Sequence, residues 1–584
     1  MGRDSDKMKL HRREKWLGAV MAGAGLSLTL VCLPSAGASM GAATTGAVKA
    51  VTTGGTFYVA QAWGTLPDNF NPYAPSGANA PGTKSCLYQS LYYFNAATGV
   101  ETPLLGTNYK WTDGNLKLVV TTRSGVKWSD GTPFTAADVA FTFNYFKANP
   151  SIDVNGIWTS PLKSVVATGA NTVVFTLSKP DTPETVAILF GTDGNSTVIL
   201  PQHIWSTIKD PAKYTNTSPV ATGPFTLKSF STTSVVYAKN PSYWEAGRPY
   251  IDSVVFSSVN SDTTAELGLE NGSIDMSYDY ITDASATFLS KNKANNIFWP
   301  VSNMNYLYIN TKAKGPFSDV NFRKAVAYAM NTSFIANRAY FGALAGAAGG
   351  QEAALVAPQV SQWFSSSLSS LEWTYSVTKA KATLKAAGYK WSSSGQLESP
   401  AGVVYPTYTV LIGGPGWTDY ISQADNISAE LKAIGISSTV LQEPYSTMAN
   451  DFNLGNYTFG LCWGNGNSST PYYQYYYMFS PSESAPIGKV ANTNWERFTS
   501  PIITNALTSY ASSSSASVQK ADMVAIEKQV LTNVPVVPIS GRANWLVYQT
   551  RAFTGFPSVS NPYNDGSASD QEGSMLTYVN VYKK

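Results

Sequence analysis

Charged residues are scarce in this chain of 584 residues, of which Asp, Glu, Lys and Arg together make up only 13%. Soluble domains usually carry about 25%. The formal net charge is +3 and no long basic run occurs, which argues against a nucleic-acid partner because phosphate binding needs clustered Lys and Arg. A surface with few carboxylates changes its charge little in acid, so we predict an acidic external habitat.

Histidine and cysteine are nearly absent. Of the two histidines, His11 lies near the N-terminus, so a Ser-His-Asp or Cys-His relay would depend on His203 alone. Zinc sites of His and Cys lack enough ligands for most arrangements. Beyond Cys32 only Cys86 and Cys462 remain, and we expect two buried thiols rather than a disulfide. The shortage of His and Cys therefore argues against such relays and zinc sites, and we predict no catalytic residue and no metal site, although 37 Asp and Glu leave paired carboxylates open.

The N-terminus has the pattern of an export signal. A basic stretch precedes an apolar, uncharged run from Trp16 to Leu33, and small residues follow it. This predicts a signal peptide over residues 1–38, with a retained membrane anchor as the alternative. Cys32 suggests a lipid anchor, although Val31 before it is not the small residue that such signals carry. Residues 39–51, rich in Ala, Gly and Thr, read as a flexible leader.

Strand and helix signals alternate along the rest of the chain. Thr135 and Asp138 have the spacing of a capping box, and Val139, Phe143 and Phe146 would then form one buried helix face. Further helices are predicted over residues 319–330, 380–387 and 422–434, and strands over 55–62, 116–123, 405–412, 436–442 and 535–539. Such alternation indicates α/β units.

Five motifs stand in a fixed order along the chain. They are VKWSDGTPFTAADV at 126–139, ATGPF at 221–225, NPSYWEAGRPYIDSVVF at 240–256, NGSID at 271–275 and DVNFRKAVAYA at 319–329. Together they resemble the family 5 solute-binding proteins of ABC importers, the dipeptide, oligopeptide and nickel-binding group. The resemblance covers nearly the whole chain after the first fifty or so residues.

The resemblance implies an α/β fold of the type II periplasmic-binding-protein kind, with two α/β lobes around a hinge and a cleft. An extra subdomain would be inserted in lobe I. The implied boundaries are 52–84, 218–300 and 541–584 for the three parts of lobe I, 85–217 for the inserted subdomain and 301–540 for lobe II.

The resemblance also implies a function. The chain would be an extracellular or periplasmic protein, associated with the cell envelope after export, that captures peptides or peptide-like solutes in the interlobe cleft. Its partners would be the solute, the ABC permease and the ATPase subunits in the membrane, and the chain itself would be a monomer. No cofactor is expected, since the glycine-rich run 342–350 lacks the Lys-Ser/Thr ending of a phosphate loop.

Two alternatives stay open. An oligosaccharide-binding protein of the same fold would use stacking aromatics and amide hydrogen bonds. A secreted glycosidase would need two carboxylates, and Asp275, Asp279 and Asp283 are close in sequence. Relatives of both ligand classes share the non-enzymatic fold, so the first alternative changes only the solute.

The segment after Trp463 carries the main candidate binding residues. In peptide-binding relatives an aspartate soon follows the corresponding tryptophan and pairs with the ligand's amino group, whereas here the neighbours are Asn465 and Asn467, which offer amides without a charge. Aromatic and amide residues near strand ends complete the predicted ligand-binding set, which comprises Asn69, Phe70, Tyr88, Tyr278, Tyr280, Tyr306, Trp463, Asn465, Asn467 and Tyr472.

Overall fold

Three large β-sheets organise the protein, whose structure is a computed structural model. It describes residues 51–61, 64–75, 79–191, 196–346, 351–414, 416–466, 468–566 and 572–584. The predicted signal peptide, Cys32, residues 39–50 of the leader and the binding candidate Asn467 lie outside the described residues.

The strands include those of the large sheets and of three two-stranded sheets, β2-β3, β14-β15 and β21-β22. In chain order they are β1 Thr56–Gln61, β2 Tyr92–Asn95, β3 Val100–Pro103, β4 Gly106–Thr112, β5 Lys117–Thr122, β6 Leu162–Gly169, β7 Thr172–Leu177, β8 Phe225–Ser231, β9 Ser234–Lys239, β10 Ser253–Ser258, β11 Met276–Tyr278, β12 Asn295–Phe298, β13 Val301–Ile309, β14 Lys390–Trp391, β15 Leu397–Glu398, β16 Tyr408–Gly413, β17 Ser438–Glu443, β18 Phe459–Trp463, β19 Val536–Ala543, β20 Leu546–Gln549, β21 Phe553–Thr554 and β22 Tyr582–Lys583.

The α-helices flank these sheets. They are α1 Ala136–Ala148, α2 Gln202–Trp205, α3 Asp262–Asn271, α4 Ala284–Thr287, α5 Val320–Ala329, α6 Thr332–Tyr340, α7 Ala357–Trp363, α8 Val377–Ala386, α9 Thr418–Ala433, α10 Tyr445–Leu454, α11 Tyr472–Phe479, α12 Pro501–Ser512, α13 Ala516–Asn533 and α14 Glu572–Asn580. Within the described ranges, no helix has both the length and the apolar character needed to cross a bilayer.

Local capping chemistry sets the helix starts that the sequence predicts. The Thr135 side chain accepts from the backbone of α1 while Asp138 accepts from the Thr135 N–H, which confirms the predicted capping box. Asp319 caps α5 with its side chain, which accepts from the Asn321 N–H at 2.8 Å. Helices α8 and α9 begin three or four residues before their predicted starts, at Val377 and Thr418, because their first turns carry polar residues that give no apolar period.

The first large sheet has the order β12-β20-β11-β1-β10-β9-β8. Its central strand β1 pairs in parallel with both β10 and β11. Alternate residues of β1, Phe57 and Val59, are fully buried in its core, as expected for a strand covered by other elements. Strands from three separate stretches of the chain therefore build one lobe, which we call lobe I.

The second large sheet is antiparallel and is formed by β4-β5-β7-β6. Helix α1 packs on it through Val139 and Phe143, whereas Phe146 of the same helix face packs into the lobe I core; all three are buried as predicted. The only histidine of the described residues, His203, lies nearby, and its Nε2 is 2.7 Å from Asp130 Oδ2. His203 thus joins two surface segments of this subdomain.

The third large sheet has the order β17-β16-β18-β13-β19 and forms the centre of lobe II. β16 is parallel to β17 and β18, whereas β13 is antiparallel to β18 and β19. Cys462 lies in β18 and Cys86 in the lobe I core, and both are buried thiols that form no disulfide within the described residues, as expected.

Two neighbouring segments connect the lobes. The chain leaves lobe I between β12 and β13 and returns between β19 and β20. The two connections stay paired on both sides, since Phe298 pairs with Leu546 in the first lobe and Val301 pairs with Ala543 in the second. Two adjacent crossings of this kind form a hinge, which places any interlobe site beside β13 and β19.

Lobe II buries an unusual carboxyl group beneath this sheet. Glu496 is completely buried, and neither of its carboxylate oxygens has a hydrogen-bond partner. Desolvation raises the pKa of Glu496 well above its usual value. The guanidinium of Arg497, next in sequence, is held instead by the carbonyl oxygens of Phe452, Asn453 and Trp495. Glu496 therefore favours the protonated form in the folded protein.

This burial predicts a stability that falls as the pH rises. A carboxyl with a raised folded-state pKa binds a proton in the folded chain that the unfolded chain has already lost above its own pKa of about 4.3. As the pH rises above about 5, the free energy of unfolding should therefore decrease by up to about 1.4 kcal/mol per pH unit through this group. Urea unfolding measured across this pH range should show that Glu496→Gln has lost this contribution to the slope, whereas the unmodified chain keeps it.

Glu398→Gln in the β14–β15 hairpin serves as the control, because it removes a half-exposed carboxylate from the same lobe. It should leave the slope as in the unmodified chain. Parallel stability curves for the unmodified chain and Glu496→Gln would contradict the prediction.

Candidate functional site

The candidate site lies on the lobe II sheet beside the crossings. Within that sheet β13 runs between β18 and β19, so that Asn305 pairs with Trp463 and Asn303 pairs with Arg542. This register brings an indole and a guanidinium together across the central strand. The Arg542 Cζ atom is 5.0 Å from the centre of the Trp463 ring, within the range of a cation–π contact.

Aromatic side chains from two further elements surround Trp463. The Tyr445 ring lies 5.8 Å away and nearly parallel, at 14°, and the Trp417 ring lies 6.0 Å away. Tyr420 approaches edge-on at 6.3 Å. We call the rings of Trp417, Tyr420 and Tyr445 the aromatic wall. Gly414 allows the Trp417 ring to take its place there, because Gly414 has a φ of +65° and a Cβ at this position would lie 2.0 Å from that ring.

Arg542 carries a positive charge, which opposes the rise in pKa that burial causes in Asp419. Its side chain is half-buried, and the carboxylates of the described residues form no salt bridge with it. Burial raises the pKa of Tyr278, on lobe I strand β11, and the Arg542 charge opposes that rise. The charge of Arg542 thus interacts electrostatically with groups of both lobes. Its planar guanidinium group stays available to bind an anion.

A buried polar network supports this surface from below. Asn305 receives the Tyr420 hydroxyl at 2.7 Å and donates to the Tyr340 hydroxyl at 3.0 Å. Gln423 donates to Tyr340 at 3.0 Å and receives Ser540 at 2.8 Å. Because all five side chains are buried and hydrogen-bonded, the network fixes the orientation of Tyr420 in the aromatic wall.

Aromatic rings also fill the hinge. Trp299 on the first crossing and Trp545 on the second are 5.1 Å apart and perpendicular, at 89°. Tyr280 contacts both rings, at 5.8 and 5.0 Å, and donates to the Ala339 carbonyl at 2.5 Å. Tyr340, from the polar network, packs on Trp545 at 5.9 Å. Residues of both lobes therefore share one hydrophobic cluster at the crossings.

The structure brings some of the predicted binding residues together. Trp463 and Tyr278 lie near Arg542, and half-buried Asn465 follows Trp463 by two residues. Tyr280 lies in the hinge cluster rather than beside Trp463. Asn69 is half-buried in the loop after β1, where its side chain accepts from the Asn71 N–H at 3.0 Å.

Other predicted residues are core side chains. Phe70 is fully buried between Phe230 and Tyr237. Tyr88 is also fully buried, and its hydroxyl receives the Asn216 amide at 2.7 Å. Both rings are occupied by lobe I contacts, so neither is carried into the proposed site.

Two predicted tyrosines belong to lobe II. Tyr306 is fully buried and donates to the Ala354 carbonyl at 2.7 Å. Tyr472 opens α11 with its ring stacked on Tyr476 and Tyr510. The Tyr306 and Tyr308 rings are in contact on one side of β13, and both are buried in the core.

Sequence reasoning missed Arg542, Trp417, Tyr420 and Tyr445. Arg542 is the one charged residue in β19, whose other seven residues are uncharged and buried. A single cationic residue inside a buried strand is uncommon, and this pattern could have identified Arg542 from the sequence. Trp417 follows a Gly-Gly-Pro-Gly turn, which indicates a bend but not what the bend places nearby.

The acids considered for hydrolysis serve the fold. The two oxygens of Asp275 receive the Tyr58 N–H and the Gln549 amide, Asp279 receives the Ser277 hydroxyl, and Asp283 caps α4. Across the described ranges, no cluster of three or more His, Cys, Asp or Glu residues is arranged to hold a metal ion.

Comparison with known proteins adds the family. The model of the bacterial extracellular solute-binding proteins, family 5, matches residues 101–486, more than half of the chain. The glutathione-binding protein GsiB of Salmonella typhi is 28% identical over 323 residues, which are 55% of this chain and 59% of that protein. The dipeptide-binding protein of Escherichia coli is 27% identical over 344 residues, 55% of this chain and 62% of that protein. The chain thus spans less than two thirds of the length of these relatives.

Solved structures match over a larger share. The periplasmic oligopeptide-binding protein of an ABC transporter of Thermotoga maritima superposes with a TM-score of 0.80 at 25% identity, covering 91% of this chain and 99% of that one. Its mannohexaose-bound structure gives a TM-score of 0.72 at 25% identity, covering 91% and 98%.

These matches confirm the predicted fold class, two α/β lobes of the periplasmic-binding-protein kind. The order of the five motifs, the paired crossings and the family match agree with one another. The chain belongs to family 5 of the bacterial extracellular solute-binding proteins.

Proposed function

We propose that this protein is the substrate-binding protein of an ABC importer and captures peptides or peptide-like solutes between its lobes. It delivers them, as an exported monomer at the cell envelope, to a membrane permease whose ATPase subunits supply the energy. It performs no covalent chemistry and needs no cofactor. The lobe boundaries inferred from the sequence are part of this proposal.

The observation that carries the proposal is the cation–π contact between Trp463 and Arg542 beside the hinge, where both lobes contribute side chains. A guanidinium that lies on an indole and forms no salt bridge with a carboxylate of the described residues suits the carboxylate of a solute. The site consists of Trp417, Tyr420, Tyr445, Trp463, Arg542 and Tyr278, with Asn465 as an amide partner. Closure over a solute would favour the conformation that the permease recognises.

A neutral oligosaccharide is the second candidate solute. Three rings around Trp463 provide stacking surfaces, and the matched Thermotoga maritima protein has been solved with mannohexaose. Such a ligand would use the aromatic wall without needing the charge of Arg542. The two candidate solutes therefore differ in whether their binding depends on Arg542, and this dependence can be measured.

Removing the indole should weaken binding of either kind of solute. Trp463→Ala deletes the ring on which the ligand and Arg542 stack, so we expect affinity to fall about tenfold or more. A thermal-shift screen of peptides, oligosaccharides and metal chelates would identify a ligand, and calorimetry would then measure the loss. Tyr375→Ala, which removes a half-exposed aromatic ring of lobe II outside the proposed site, is the control and should bind normally. Equal affinities for the unmodified chain and Trp463→Ala would exclude Trp463 from the site.

Removing the charge should distinguish the two solute classes. In Arg542→Gln a peptide with a free C-terminal carboxylate should lose about tenfold in affinity, because a charge-assisted hydrogen bond is lost. The same peptide with a C-terminal amide should bind both forms equally. Binding of an oligosaccharide but of no peptide, unaffected by Arg542→Gln, would favour the second candidate. Release of any cleaved product during incubation would contradict a purely binding role.

A further inference from the structure

The inserted subdomain meets lobe II at a contact separate from the hinge crossings. In the segment that follows β7, the Thr182 N–H donates to the Ala511 carbonyl at 2.8 Å, and the Thr182 hydroxyl donates to the Ser513 carbonyl at 3.1 Å. The side chain of Gln519 on α13 donates to the same hydroxyl at 3.2 Å. Thr182 therefore uses both its backbone N–H and its hydroxyl to bind lobe II.

The acceptors on lobe II lie at the C-terminus of α12, which ends at Ser512. The last carbonyl groups of a helix have no partner within it and need one from elsewhere. Other helices of the chain end with a left-handed glycine, as α10 does at Gly455, or carry a basic residue in the last turn, as α9 does with Lys432. Helix α12 has no basic residue in its last turn, and Ser513 follows it in an extended conformation. Thr182 of the subdomain supplies the donors instead.

The segment that carries Thr182 is fixed by its own subdomain. Pro180 and Pro183 stand on either side of it, and a proline restricts both its own backbone and that of the residue before it. The Thr185 hydroxyl donates to the Thr182 carbonyl at 2.8 Å and accepts from the Trp111 indole of β4 at 2.9 Å. Because these contacts come from the subdomain, the donors of Thr182 are oriented before lobe II meets them.

The interface around this contact is polar and loosely packed. A cavity of about 690 Å³ lies beside it, lined by residues of the stretch 154–191 and of α11 and α12, whereas protein cores contain few voids larger than a water molecule. Burial raises the pKa of Glu101, and hydrogen bonds from Tyr109 and from Ser469 of lobe II oppose that rise, so a second polar contact joins the same two bodies. Hydrogen bonds of this kind are exchanged for bonds to water when the surfaces separate, so the contact can open and close.

We propose that Thr182, Ala511, Ser513 and Gln519 form an interlobe latch, a polar contact that breaks when the lobes separate and favours their closed form. The latch rests on the proposed function, since it has a role only in a protein whose lobes separate to admit a solute. A typical hydrogen bond across it should favour closure about fivefold. Because its hydrogen-bonding partners are not among the residues of the Trp463 site, the latch changes the balance of open and closed forms without changing the groups that bind the solute.

The latch can be tested by measuring the distance between the subdomain and lobe II in solution. Lys110→Cys on the subdomain and Lys528→Cys on lobe II replace exposed residues and provide sites for nitroxide labels. The background carries Cys32→Ser, and Cys86 and Cys462 are buried, so the labels attach at the two introduced positions. Double electron–electron resonance then gives the ratio of closed to open forms.

Removing the latch side chains should shift this ratio toward the open form. Thr182→Val/Gln519→Ala deletes the hydroxyl and the amide but leaves the Thr182 N–H in place, so we expect the ratio of closed to open forms to fall about fivefold or more. If the unmodified chain shows the closed distance alone, the expected result is an open population that appears in the variant. Gln519→Ala alone, at a half-buried position, should give a smaller shift and serves if the double variant does not fold.

The matched control is Thr207→Val/Gln396→Ala, which removes the same two groups from bonds within single bodies. The Thr207 hydroxyl donates to the Ile204 carbonyl at 2.8 Å, and the Gln396 amide donates to the Ser437 hydroxyl at 3.2 Å. This control should keep the ratio of the unmodified chain. An equal shift in the control, or identical distance distributions for the unmodified chain and Thr182→Val/Gln519→Ala, would overturn the latch.

The same measurement separates failure of the latch from failure of the proposed function. Identical distributions that contain both a short and a long distance would remove the latch and leave the proposed function standing, because the lobes still move. A single distance that neither Thr182→Val/Gln519→Ala nor any compound of the thermal-shift screen changes would show lobes that do not move, and both proposals would then fail.

Discussion

The paired crossings of the chain between its lobes are the constraint on which the rest of the structure depends. Backbone pairing on each side of the hinge, Phe298 with Leu546 and Val301 with Ala543, keeps the two connections side by side. Gly541 contributes to this closeness, because a Cβ there would lie 2.7 Å from a methyl group of Val301. The same strands continue into the lobe II sheet, so the geometry of the hinge also sets the geometry of the candidate site.

Rigid support and free capacity are combined at that site. Asn305, Tyr340, Gln423 and Ser540 satisfy one another below the surface, while Arg542 forms no salt bridge within the part of the chain that the structure describes. A preorganised site of this kind spends little free energy on ordering its own side chains when a solute arrives.

Local signals allowed much of the fold to be predicted. The cap at Thr135, the strand alternation of β5 and the family motifs each depend on residues close in sequence, and the family then implies the two lobes. The candidate site was predicted less well because it depends on register between distant strands. Trp463 was identified by its motif, whereas Arg542 gains its meaning only when β13 brings β18 and β19 together. Phe70, Tyr88 and Tyr306 were predicted to bind the solute but are buried in the core. A sequence position near a strand end does not reveal which way a ring points.

The two indoles of the hinge have a consequence for how the molecule can be observed. Trp299 and Trp545 are in contact, perpendicular, and attached to opposite crossings. Transition dipoles so close together couple, and the sign and size of the resulting circular dichroism depend on the angle between them. Any rotation of one connection against the other would change that angle. The circular dichroism of this indole pair would therefore report domain movement, which can be followed without attaching a dye.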